Sequence, residues 1–172
     1  MPSARKPTNI DAFSLPEMIV TIAVIGIMAA IAMVAYSNVV ESAEKVRAEK
    51  VSAELNAAVK GFSQNNWDIP TAKDDSATTD EFKVLRTLQY KPAAALGRFD
   101  TSAPYYPPAW NPPASNNTAD FRLRWTGVSF QLLEPGVSGL GLKLAFDASG
   151  QSATVYTFPS NFKPEGARDS SN

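Results

Sequence analysis

The sequence predicts an α+β chain: a long N-terminal helix, half apolar and half amphipathic, packed on a C-terminal antiparallel sheet of about four strands. Three observations predict it. Met18 to Val40 is a run of 23 residues without a charged side chain, lying between Glu17 and Glu41. From Glu41 onward apolar residues recur at steps of three and four while charges fill the other side, and no proline interrupts residues 17–69. Beyond residue 120 apolar and polar residues alternate, which is the period of a strand.

The uncharged run comes first. At about 1.5 Å per residue it makes a helix of roughly 34 Å. That is enough for the roughly 30 Å hydrocarbon core of a bilayer. Its small residues, among them Ala23, Gly26, Ala29 and Ala30, let helices pack closely. Glu17 is the anomaly at its edge. A lone carboxylate beside such a run is costly in lipid and is a functional candidate by default. Ahead of it, Arg5 and Lys6 put the N-terminus on the cytoplasmic side by the positive-inside rule, and the rest of the chain across the membrane.

The stretch Ala12-Phe13-Ser14-Leu15-Pro16-Glu17, with the apolar segment Met18 to Ala32 after it, resembles the class III signal of type IV prepilins and type II secretion pseudopilins. The likeness covers roughly residues 1–62 and is specific over 12–36. It implies a pilin-like fold and a leader, residues 1–12, that a prepilin peptidase removes by cutting between Ala12 and Phe13. It also implies N-methylation of Phe13. Glu17, fifth in the mature chain, then serves assembly by pairing with the Phe13 amine of a neighbouring subunit. Gly26 and Tyr36 stand where the family has a glycine and an aromatic residue. The chain departs from the family at three places. Ala12 replaces the usual Gly before the cut, Asp11 stands where a basic or neutral residue is usual, and Val34 replaces a helix-kinking Pro of many major pilins. Pro16 is harmless, because in the first helical turn its missing N–H has no intrahelical partner to lose.

The function this resemblance implies is structural: a subunit of a type IV pilus or type II secretion pseudopilus. The subunit would sit in the bacterial inner membrane as a single-pass protein with a cytoplasmic N-terminus, then enter a periplasmic or cell-surface filament. The implied partners are other copies or related pilin subunits, the prepilin peptidase, the inner-membrane assembly machinery and, before assembly, membrane lipid. Removing a leader of net charge +1 takes the formal net charge from −1 to −2. The alternative is an uncleaved single-pass, membrane-anchored binding module that uses an aromatic, proline-rich loop at residues 104–113.

The expected organisation is a leader (1–12), a transmembrane half-helix (13–40), an amphipathic half-helix (41–64), a globular α+β head (65–162) and a polar tail (163–172). In the amphipathic half, Val40, Ala43, Val46, Val51, Leu55, Ala58, Val59 and Phe62 make the apolar stripe. Asn65 to Pro70 ends the helix. Thr78 and Glu81 have capping-box spacing ahead of a short helix from about Asp80 to Tyr90, which presents Phe82, Leu85 and Leu88. Residues 91–120, rich in Pro, Ala, Ser and Asn, read as loop. Strands follow at 121–125, 128–132, 140–146 and 153–158, with turns near Thr126-Gly127 and at Asp147-Ala148-Ser149-Gly150. Arg122 and Arg124 fall on the solvent side of the first of these. The tail after Phe162 is polar and expected to move freely.

Composition narrows the chemistry. The chain has no His and no Cys. That excludes a Cys or His zinc site, a His-dependent triad, a thiol nucleophile and any disulfide. No local motif suggests paired catalytic carboxylates, so no enzyme, cofactor or metal is expected. The acidic residues Asp74, Asp75, Asp80 and Glu81 do not match a calcium loop and read as loop and helix-start charges. No basic face points to nucleic acid.

Overall fold

The computed structural model describes residues 13–73, 76–91, 104–146 and 155–166. Residue contacts divide the chain into two units, Met1–Ser42 and Ala43–Asn172. Helix α1, Leu15–Asn65, begins in the first and continues into the second. The second unit adds α2 (Thr79–Gln89) and strands β1 (Ala114–Ser115), β2 (Arg122–Trp125), β3 (Phe130–Leu133) and β4 (Gly141–Lys143). The strands form one antiparallel sheet in the order β1-β4-β2-β3. A long N-terminal helix and a four-stranded antiparallel sheet make the chain α+β, as expected.

In the first unit α1 keeps its apolar residues outside. The helix is long and apolar enough to cross a membrane, and none of its most apolar window is buried within the chain. Thr21 and Ser37 bond back to the carbonyls of Met18 and Val34, at 2.9 Å each, so these two hydroxyls are satisfied inside the helix.

In the second unit the buried stripe of α1 is Ala48, Leu55, Ala58, Val59 and Phe62. It starts later than the sequence suggests: Val40, Ala43 and Val46 are exposed. Val46 is two residues, about 200° of helix, away from Ala48, so both cannot face the core. The stripe joins Val84, Leu85 and Leu88 of α2 and Leu123, Trp125, Phe130, Leu142 and Leu144 of the sheet region in one cluster. Leu132 and Phe146 pack at its edge, half-buried. Trp125 and Phe130 meet edge to face at 5.2 Å between ring centres.

Two polar side chains finish the sheet where strands end. Asn56 of α1 donates to the Phe130 carbonyl at 2.8 Å and accepts from its N–H at 2.7 Å, closing one position of the edge strand β3. β4 pairs with β2 only at Arg122 and Leu123. The Trp125 N–H lies past that pairing and donates to Glu81 Oε1 at 2.9 Å. This removes the predicted capping box at Thr78. Glu81 is 2 % exposed and committed to the strand, and Thr78 makes no side-chain cap bond.

Other elements correct the sequence reading. β3 begins at Phe130, two residues late, because Val128 sits in the turn; Thr126 N–H donates to the Ser129 carbonyl at 2.9 Å, with Gly127 at φ 93°. The strand expected over 140–146 is shorter, and Gly141 is needed there: a Cβ would lie 2.7 Å from the Leu123 carbonyl oxygen. The fourth strand is β1, inside the segment read as loop. Two residues after a Pro-Pro pair carry no alternation to detect. Pro113 itself accepts from Lys143 N–H at 2.8 Å. Of the strand expected at 153–158, residues 153–154 lie outside the described residues. Residues 155–158 are not strand, and Val155 is 55 % exposed.

Arg122 also departs from expectation, being fully buried. Its guanidinium donates to the carbonyls of Gly139 and Val137, and its Nε to that of Asp120 at 3.3 Å. The Glu134–Leu140 loop thus covers the side of β2 opposite Leu123. Nor is the segment after Phe162 free: Glu165 N–H donates to Thr87 Oγ1 at 3.0 Å, and Gly166 accepts from Trp67 N–H at 2.9 Å. Residues 167–172 lie outside the described residues, as do residues 1–12 and the turn expected at 147–150.

Candidate functional site

The candidate site is the first turn of α1. Phe13 is 75 % exposed. Ser14 precedes the helix and accepts at its carbonyl from Glu17 N–H at 3.0 Å and Met18 N–H at 3.1 Å. Pro16 sits at the second helical position, where no hydrogen bond is lost. Glu17 is the acidic residue of the first turn. There its negative charge complements the positive end of the helix dipole.

Ser14 N–H and Ser14 Oγ both approach Glu17 Oε2, each at 3.4 Å. This is the reciprocal half of a capping box, at long distance. The Ser/Thr-x-x-Glu spacing that misleads at Thr78 and Glu81 is the signal that finds this pair in the sequence. Among the described residues the Glu17 carboxylate therefore has two contacts, both long, and Glu17 is exposed. Next to it, Met18 to Val40 offers no opposite charge. Ala12 lies outside the described residues, so the structure describes Phe13 and Glu17 but not the residue before the expected cut.

The other candidate, the 104–113 loop, is packed by its own aromatics. Tyr105 and Tyr106 N–H both donate to the Leu88 carbonyl, at 2.9 and 3.1 Å. The Tyr105 ring meets Phe62 edge-on at 5.4 Å, and Tyr106 meets Trp110 at 5.3 Å. Gln89 Nε2 donates to the carbonyls of Pro107 at 2.8 Å and Trp110 at 2.6 Å. The loop lies against the helices as well as beside the sheet. Burial, and next the nearby Glu54 charge, push the Tyr106 hydroxyl pKa up to about 12.

Beneath this region Arg86 stacks on the Tyr156 ring at 4.0 Å and bonds to Gln89 Oε1 at 2.6 Å and to Asn111 Oδ1. Burial lowers its pKa, and Tyr156 opposes that shift. Of the acidic cluster, Asp80 pairs with Lys83 at 3.8 Å and Glu81 is held by β2, while Asp74 and Asp75 lie outside the described residues. Among the described residues no group of three or more His, Cys, Asp or Glu could hold a metal. No family model, curated protein or solved structure matches the chain.

Proposed function

We propose that the chain is a structural subunit of a helical filament of the type IV pilus or type II secretion pseudopilus kind, with a pilin-like fold. It is held first as a single-pass inner-membrane protein, and its role is assembly rather than catalysis. The observation that carries this reading is Glu17: a carboxylate in the first turn of a helix whose next 23 residues are uncharged, with only long contacts among the described residues. Cutting between Ala12 and Phe13 creates a cation four residues before it. In a bundle of such helices the Phe13 ammonium of one subunit meets Glu17 of the next, and two charges that are costly in an apolar core cancel. The small residues of the same segment support close helix packing. Copies of the chain or related subunits, a prepilin peptidase and the inner-membrane assembly machinery are the partners this reading requires.

The test is a paired assay of cleaved membrane protein and of sheared filament. Mass analysis of the native protein should place its N-terminus at a methylated Phe13. Glu17→Val lengthens the apolar run, so insertion and cleavage persist, while filament yield falls sharply. Removing one member of a buried charge pair costs about 3–5 kcal/mol, and the cost recurs with each subunit added. A Glu17→Val chain that is cut normally and yields ordinary amounts of filament would refute the pairing.

A further inference from the structure

Two surface segments far apart in the chain meet at one buried cation. Arg86, near the end of α2, is 7 % exposed. Its guanidinium donates to Gln89 Oε1 at 2.6 Å and to Asn111 Oδ1, and it stacks on the Tyr156 ring at 4.0 Å. Asn111 belongs to the 104–113 loop, and Tyr156 to the segment 155–166 that follows the sheet. Gln89 extends the link to the loop, because its Nε2 donates to the Pro107 and Trp110 carbonyls. On the other side Tyr156 packs edge-on against Phe158 at 5.0 Å between ring centres. Phe158 in turn meets Tyr90 at 5.3 Å and Phe162 at 5.0 Å.

We propose that Arg86 is a coupling pivot, through which the 104–113 loop and the 155–166 segment open and close as one unit. The reason is charge. A guanidinium stays protonated when buried. Among the described residues no carboxylate pairs with Arg86, and burial works against its charge. Two amide oxygens and one ring face compensate it instead: Gln89 from α2, Asn111 from the loop and Tyr156 from the segment. Away from water such contacts strengthen one another, and losing one leaves the rest holding a poorly compensated cation. Lifting the 155–166 segment strips the ring from Arg86. The guanidinium then turns toward water, and Gln89 and Asn111 lose the donor that orients them. Loosening the loop acts on the segment in the same way, since a coupling free energy is reciprocal. Phe82, 5.9 Å from the guanidinium, lies on the same helix as Arg86 and links no second segment. The pivot stands whether or not the chain enters a filament.

Amide hydrogen exchange, read by mass spectrometry on the full-length chain in detergent micelles, tests the pivot. Tyr156→Leu removes the ring, so the amides of 155–166 exchange faster. The amides of Tyr105, Tyr106 and Trp110, all hydrogen-bonded in the parent, should exchange about tenfold faster as well, while those of β2 keep the parental rate. Tyr156→Phe keeps the ring and should leave both segments as they are. Asn111→Ala is the reverse arm, expected to speed exchange at Glu165, whose N–H is held by Thr87. In an Arg86→Met background Tyr156→Leu should no longer reach the loop; if that chain does not fold, the Tyr156 and Asn111 arms decide alone. A Tyr156→Leu chain with a loosened 155–166 segment and a loop at the parental rate would overturn the pivot. Equal acceleration in β2 would overturn it too, because it marks a general loss of stability. A Tyr156→Phe chain as loose as Tyr156→Leu would do the same by assigning the effect to the hydroxyl. So would a Tyr156→Leu effect on the loop that survives Arg86→Met, which routes the coupling elsewhere.

Discussion

At the scale of single residues, the charges that matter in the second unit are held by local chemistry. Burial pushes the Asp120 carboxyl up. The Ser115 hydroxyl at 2.7 Å and the Lys143 ammonium at 2.9 Å, with the Arg122 charge, outweigh that and hold it below its ordinary range. A depressed folded-state pKa adds stability above the unfolded carboxylate pKa, and this is lost as pH falls through the folded value. Lys143→Met and Ser115→Ala should therefore lower the denaturant midpoint at pH 7 and leave it nearly unchanged at about pH 2, below the ordinary carboxylate range. A deficit of equal size at both pH values would mean that packing, not charge, is what Lys143 and Ser115 supply. Tyr106 titrates in the other direction. With its pKa raised to about 12, its share of stability is present below the usual phenol value and is lost as pH climbs toward 12. Ultraviolet titration of the folded protein should show a phenol ionising near pH 12, above the ordinary value of about 10.

At the scale of elements, the sheet is short and depends on side chains from the helices. β3 is an edge strand, and Asn56 satisfies both backbone groups of Phe130. Asn56→Ala leaves both groups without a protein partner at a half-buried site, so it should destabilise the second unit by about 1–3 kcal/mol. Chemical denaturation reads this as a lower midpoint with an unchanged slope. A variant as stable as the parent would mean that water replaces the amide at no cost. Arg122 has the same logic on the other side of the sheet, where one buried guanidinium gathers the carbonyls of Val137 and Gly139. Arg122→Leu keeps the volume but frees those carbonyls. It should loosen the Glu134–Leu140 loop first, seen as faster amide exchange at Val137.

At the scale of the whole chain, the two units face different tasks. The first exposes its apolar side chains along the helix, whereas the second has a core of its own built from α1, α2 and the sheet. A truncated chain beginning at Glu41 should therefore be soluble, folded and monomeric, and its melting should not respond to reductant because the chain has no cysteine. Sedimentation and thermal unfolding check this. An unfolded or aggregated product would show that the core cannot form without the residues before it. Ala12→Glu tests the other end: a large charged side chain before the cut should leave the leader attached, measured as a heavier membrane-bound form.

The sequence alone determined the features that depend on local period and composition. The uncharged run from Met18 to Val40, the end of α1 near Asn65, α2 and the β2–β3 hairpin all follow from spacing between neighbours in the chain. Phe13 and Glu17 were singled out instead by the resemblance of residues 12–36 to the prepilin signal; Glu17 stands in the first turn of α1 and Phe13 two residues before the helix. The rest was decided by contacts between distant segments. Arg122 looks solvent-facing by alternation, and only the return of residues 137–139 across the sheet buries it. Glu81 has the spacing of a helix cap, yet the Trp125 N–H, 44 residues away, takes it. β1 has two residues after paired prolines and exists only because β4 offers an edge to pair with. Val46 shares the period of the core stripe's neighbours, but the sheet meets α1 on the face of Ala48, Leu55 and Phe62. A periodic pattern states that a helix has faces; which face turns inward is set by where the other elements lie.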